Sequence, residues 1–195
     1  IRAYVLEKGS KIFFNEKLNN IIINNNKISA ISTTNRNEYS VSNLVLATGH
    51  SARDIYYLLN KFGIELEKKG FAIGTRIEHP VEVINDIQYG NSKYKKYLPA
   101  AEYSLTFNNK NSGRGIYSFC MCPGGVVVNS SSEKGRLCTN GMSNFARDFK
   151  YSNSAIVVSV SEKDLDGDIF SGIEMQRKIE KLAFDCGGGD FVAPA

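Results

Sequence analysis

Histidine is scarce in this chain of 195 residues: there are two, His50 and His79. No Ser-His-Asp order and no metal-ligand spacing surrounds either, which argues against a hydrolase and a metalloenzyme. Cysteine is sparse too, with Cys120, Cys122, Cys138 and Cys186 making up the four. A secreted disulfide scaffold of this size would carry more, so the composition favours a reducing cytoplasm. No apolar run approaches the roughly 20 residues needed to span a bilayer, and no signal peptide is visible. Internal repeats are absent. Hydrophobic residues at 42% and charged residues at 23% fit one or two globular domains, with enough chain to bury a core.

The net charge of +4 is modest. Lys93-Tyr-Lys-Lys-Tyr97 is the most basic aromatic cluster. Such a cluster can touch nucleic acid through phosphate contacts and stacking. No RNA- or DNA-binding motif accompanies it, so a solvated loop is the favoured reading.

Asn43-Leu-Val-Leu-Ala-Thr-Gly-His-Ser-Ala-Arg-Asp54 is the most informative segment. Leu44–Leu46 reads as a short strand of the kind covered on both faces. Gly49 supplies a tight turn. Ser51 and Asp54 have capping-box spacing, and Ile55, Leu58, Leu59 and Phe62 then recur at helical spacing up to Gly63. A helix N-terminus behind a glycine turn suits an anionic cofactor group. Upstream, a short helix ends near Lys8 and Lys11–Phe14 reads as a strand. Leu18–Ile23, Lys27–Thr33 and Glu38–Val41 then read as a three-stranded meander, turning at Asn24–Asn26 and Thr34–Asn37.

Strand, meander, buried strand, Ala-Thr-Gly and helix, in that order, resembles the second half of the FAD-binding domain in glutathione-reductase-like flavoproteins. Four further stretches look like one family: Phe71-Ala-Ile-Gly-Thr-Arg-Ile-Glu-His-Pro80, Tyr117-Ser-Phe-Cys-Met-Cys-Pro-Gly-Gly125, Asn140-Gly-Met-Ser143 and Asn153-Ser-Ala155. That family is the bacterial FAD-dependent dehydrogenases, also called NAD(P)/FAD-dependent oxidoreductases, and the resemblance runs from Ile1 to Ala195. It implies FAD as cofactor, NAD(P)H as donor and a small-molecule substrate. It also implies that Ala47, Thr48, Gly49, His50 and Ser51 line the cofactor.

The sequence also departs from the flavoprotein pattern. No G-x-G-x-x-G lies between a strand and a helix, so the pyrophosphate cradle is missing. Gly113-Arg-Gly115 lacks the third glycine, and Gly187–Gly189 follows a helix. The chain starts at Ile1 and stops in Val192-Ala-Pro-Ala195. The expectation is a central piece of a longer flavoenzyme, itself binding FAD weakly or not at all.

The fold class expected is α+β. Residues 1–69 would form a partial FAD domain with meander, parallel-strand remnant and helix. Residues 70–195 would form a mainly antiparallel lobe with flanking helices. Strands are expected at Phe71–Ile77, Tyr103–Phe107, Gly115–Cys122, Val126–Ser130, Arg136–Thr139 and Asn153–Val160. A short helix is expected at Val81–Ile87. Ser171 and Glu174 read as a capping box, opening a helix with a Met175, Ile179 and Leu182 stripe.

Three residues are candidates for catalysis. Cys120 and Cys122 alternate along a strand, which places both on one face. One of these thiols beside Pro123-Gly124-Gly125 can shuttle electrons or form a flavin adduct; the competing reading is small buried side chains. His79 can act as acid or base near neutral pH. Arg76 shares a strand face with Glu78; it can grip a carboxylate or phosphate, or pair with that Glu. Ser118, Asn140 and Arg147 are further polar candidates. The alternative function is a non-catalytic partner- or RNA-binding module on a flavoprotein-like fold.

Overall fold

The structure is a computed structural model, and it describes residues 1–191. Val192–Ala195 lies outside the described residues. The chain divides into two compact units, Ile1–Leu66 and a second beginning at Glu67. It is an α+β protein, with three antiparallel sheets and four α-helices among the described residues.

In the first unit, helix α1 (Arg2–Glu7) precedes the meander β1 (Leu18–Asn24), β2 (Lys27–Thr33) and β3 (Glu38–Ser40). The strands lie in sequence order and pair antiparallel. Asn25 and Asn26 take φ of 50° and 58°, the left-handed angles a two-residue hairpin turn needs and Asn tolerates. Helix α2 (Arg53–Lys61) follows. Ile21 and Ala30 of the meander and Ile55 of α2 are the buried apolar residues of this unit.

Two expected strands did not form here. Lys11–Phe14 and Leu44–Leu46 belong to no ladder, and Val45 is 86% exposed. An apolar run becomes a strand only beside neighbours that take its N–H and C=O groups, and these two runs pair with no strand of the described residues. The expected Ser51–Asp54 capping box is also absent. Ala52 occupies the N-cap position without a side-chain bond, and Asp54 pairs with Lys17 at 2.9 Å.

The second unit is built on a four-stranded sheet in the order β4 (Phe71–Pro80), β9 (Tyr151–Val160), β6 (Arg114–Cys122), β5 (Thr106–Asn109). All its pairs are antiparallel, and β4 and β9 match over ten residues from Phe71↔Val160 to Pro80↔Tyr151. Strands β7 (Gly125–Asn129) and β8 (Thr139–Ser143) form a separate two-stranded sheet that packs on β9 and β6. Helix α3 (Val81–Tyr89) begins directly after Pro80, and helix α4 (Ser171–Cys186) closes the unit.

The strands expected from Tyr103 and Arg136 begin three residues later, as β5 and β8. The apolar residues of Tyr103–Phe107 and Arg136–Thr139 serve partly as packing: Leu137 is 5% exposed without being in a strand. At α4, Phe170 rather than Ser171 is the N-cap and no side chain caps it. Leu182 is exposed, so the expected stripe is partial. The capping box that does form lies at Ser161 and Asp164, on a single 3-10 turn. Helix α4 is held instead by Arg177, whose Nε donates to both Glu133 oxygens at 3.2 and 3.0 Å. The Leu137 N–H also donates to the Glu180 carbonyl at 2.9 Å.

Candidate functional site

Polar residues gather in the second unit where β4, β9, β6 and β8 meet. The start of β9 is unusual: Ser152, Asn153 and Ser154 are all fully buried. Buried polar side chains are tolerated when they are hydrogen-bonded. Ser152 Oγ accepts the Gly124 N–H at 3.0 Å and Ser154 Oγ donates to the Phe119 carbonyl at 3.4 Å. Asn153 Oδ1 accepts from Arg76 Nη1 at 2.7 Å, while its Nδ2 has no partner.

Arg76 is half-buried beneath β8. Its Nη1 also donates to the Cys120 carbonyl at 3.1 Å, and Nη2 makes a long 3.4 Å bond to Asn140 Oδ1. Nε is buried with no partner. Gly141 makes room for this arrangement. A Cβ there would stand 2.4 Å from Arg76 Nη1, 2.3 Å from Asn153 Oδ1 and 2.8 Å from Cys122 Sγ. The expected Arg76–Glu78 pair does not form; Arg76 turns to neutral amide and carbonyl oxygens instead.

The two candidate thiols do not share a face. Strand β6 carries an extra residue between Phe119↔Ala155 and Cys122↔Asn153, and Cys120 sits at φ 51°. A bulge of this kind shifts the side-chain alternation by one place. Cys120 is therefore exposed, while Cys122 is buried at 6% exposure against the Arg76 cluster. Burial pushes the Cys122 thiol above its ordinary pKa, and proximity to Cys120 adds to this; the Arg76 charge opposes it. The carbonyl of Cys120 accepts weakly from Cys122 Sγ at 3.5 Å.

His79 points to the other face of β4. Its Nδ1 lies 2.7 Å from the Ser152 carbonyl oxygen. A carbonyl only accepts, so Nδ1 carries the proton and Nε2 the lone pair in the neutral ring. Nε2 is buried with no partner, as is the hydroxyl of Tyr103, whose ring packs edge-on against His79 at 5.5 Å. Tyr103 was not singled out by sequence, because no local motif marks it.

The remaining candidates make local contacts. Ser118 accepts the Leu105 N–H at 2.8 Å, and Arg147 pairs with Glu102. The basic loop folds on itself: Lys95 pairs with Asp86, and Lys93 and Lys96 lie over the rings of Tyr94 and Tyr97. Among the described residues, no group of three or more His, Cys, Asp or Glu is placed to hold a metal. No helix of these residues is long and apolar enough to cross a membrane.

In the first unit, Ala47–His50 form an exposed loop, with Ser51 half-buried at its end. Gly49 takes φ 75° with nothing within 4 Å of where a Cβ would stand. A cleft of about 320 Å³ lies between β1 and α2, lined by Lys17, Asn19, Thr34, Asp54, Tyr57 and Lys61, and this loop does not border it. The Gly49 turn is open to solvent, and among the described residues no glycine-rich turn joins a strand to a helix as a pyrophosphate cradle would.

Residues 70–195 match the family described as FAD-dependent protein, C-terminal domain-like. The chain is also 48% identical, over all its 195 residues, to an uncharacterised protein of Clostridium beijerinckii. It spans 36% of that relative's length.

Proposed function

The chain belongs to this family of FAD-dependent proteins, and we propose that it forms part of an FAD-dependent oxidoreductase acting on a small molecule. The match of residues 70–195 to the FAD-dependent C-terminal domain carries this reading. When bound, FAD supplies the hydride or electron chemistry. In our reading Ala47, Thr48, Gly49, His50 and Ser51 border the cofactor, and NAD(P)H is the electron donor.

The lobe's own residues then orient the substrate and handle its proton. His79 is the acid–base group in this reading, since its Nδ1–H is committed to Ser152 and its buried Nε2 has no protein partner. Cys120 is the accessible thiol. Cys122 stays protonated and packs the Arg76 cluster, which makes it the weaker nucleophile of the two. We place the whole in the cytoplasm.

The test is the flavin content of the full-length protein against that of this chain. One FAD per full-length chain, with little on the 195-residue chain, supports the reading. A flavin-free full-length protein refutes it.

A further inference from the structure

Among the described residues, no carboxylate forms an ion pair with the half-buried Arg76. Its acceptors, Cys120 O, Asn153 Oδ1 and Asn140 Oδ1, are all neutral. Glu78 lies on the same face of β4 but is exposed and forms no ion pair with it. Other arginines of this unit are compensated: Arg114 by Asp164, Arg147 by Glu102, Arg136 and Arg177 by Glu133. A guanidinium removed from water and left without a counter-charge costs free energy, which an arriving anion returns.

The unpaired part of Arg76 has a defined shape. Nη1 uses both its hydrogens on Cys120 and Asn153. Nε donates to nothing, and Nη2 has only the long contact to Asn140. The Nε–Nη2 edge is a planar fork of two parallel donors, the geometry that meets a carboxylate bidentately. Nε is buried as the structure stands, and Asn140 is exposed, so an anion reaches this edge only once the Asn140 side chain swings aside from Nη2. Asn153 Nδ2, on a fully buried residue, is a further unpaired donor in the same cluster. The charge balance selects among anions. Among the described residues Arg76 is the one cation hydrogen-bonded in this cluster, so it matches a single negative charge rather than a phosphate dianion.

We propose that Arg76, with Asn140 and Asn153, forms an anion subsite in the lobe, and that this subsite takes a small monocarboxylate. Taking that carboxylate to be a substrate rests on the oxidoreductase reading above; its binding to Arg76 does not.

The test is an NMR titration of the flavin-free 195-residue chain, following the Arg76 Nε–H resonance. The probes are benzoate, its neutral isostere benzamide, and inorganic phosphate. Benzoate is expected to shift the resonance saturably. Benzamide should produce no saturable shift, and phosphate should bind at least tenfold more weakly. Arg76→Lys, which keeps the charge and loses the fork, should weaken benzoate at least tenfold. If that variant fails to fold, the comparison of benzoate with benzamide on the wild-type chain still decides. No saturable shift with benzoate, an equal response to benzamide, or phosphate binding as tightly as benzoate would overturn the proposal. Flavin is absent throughout, so a failure here leaves the flavin measurement intact, and the reverse also holds.

Discussion

Arg76 and Asn153 face each other diagonally across the β4–β9 ladder, Nη1 to Oδ1 at 2.7 Å, beneath a backbone that approaches closely only because residue 141 is glycine. Strand β8 is thereby coupled to the Arg76 cluster. Gly141→Ala is expected to push Arg76 and Asn153 apart, since a methyl cannot sit 2.4 Å from a guanidinium nitrogen. Overpacking of this kind costs about 1–3 kcal/mol. Urea unfolding of the variant and the wild type checks it, and an unchanged midpoint would show that the cluster relaxes freely.

The bulge in β6 predicts an order of thiol reactivity. At mildly alkaline pH, iodoacetamide should label Cys120 and Cys186 first, Cys138 more slowly and Cys122 last. Exposure favours the first two, and burial keeps Cys122 protonated. Peptide mapping over time reads the order. Early labelling of Cys122 would contradict the buried placement.

Asp164 predicts an acid-sensitive element. Hydrogen bonds from Arg114, then from the Ser161 N–H and hydroxyl, hold its carboxyl down to about 2. The unfolded carboxyl titrates near 3.9. A depressed folded value means the unfolded state binds the proton first. This contribution to stability is therefore complete above about pH 5 and fades as pH falls through 4 toward 2. Asp164→Asn should be less stable than wild type at neutral pH, and the two should converge near pH 2. Thermal unfolding over that range measures it.

Gly49 predicts a purely conformational cost. Its φ of 75° disfavours any side chain, yet no neighbour would touch a Cβ. Gly49→Ala should destabilise the first unit by about 1–2 kcal/mol, the left-handed penalty. Gly49→Asn should cost less, because Asn tolerates that region. Hydrogen exchange in the meander and α2 separates this effect from the second unit.

What the sequence made legible was local. The meander, the Asn25–Asn26 turn, α2 and the long β9 follow from hydrophobic period and turn residues, and all formed. The misses depended on partners. Leu44–Leu46 has strand composition but no neighbour to pair with. Cys120 and Cys122 alternate on paper, and a single extra residue in β6 moved one to solvent and the other inside. Arg76 was visible as an anion-binding candidate next to Glu78. That it would face only neutral acceptors depended on β8 arriving from far along the chain, and on Gly141 fitting over it. Tyr103 carried no signal at all, because its role comes from lying against His79.

The central claim is that the full-length protein is a flavin oxidoreductase. The most direct measurement is anaerobic titration of the purified full-length protein with NADH or NADPH, following the visible flavin band. The account predicts a bound flavin that bleaches stoichiometrically with one of the two donors. A full-length protein with no flavin band, or a bound flavin that neither donor reduces, would contradict it.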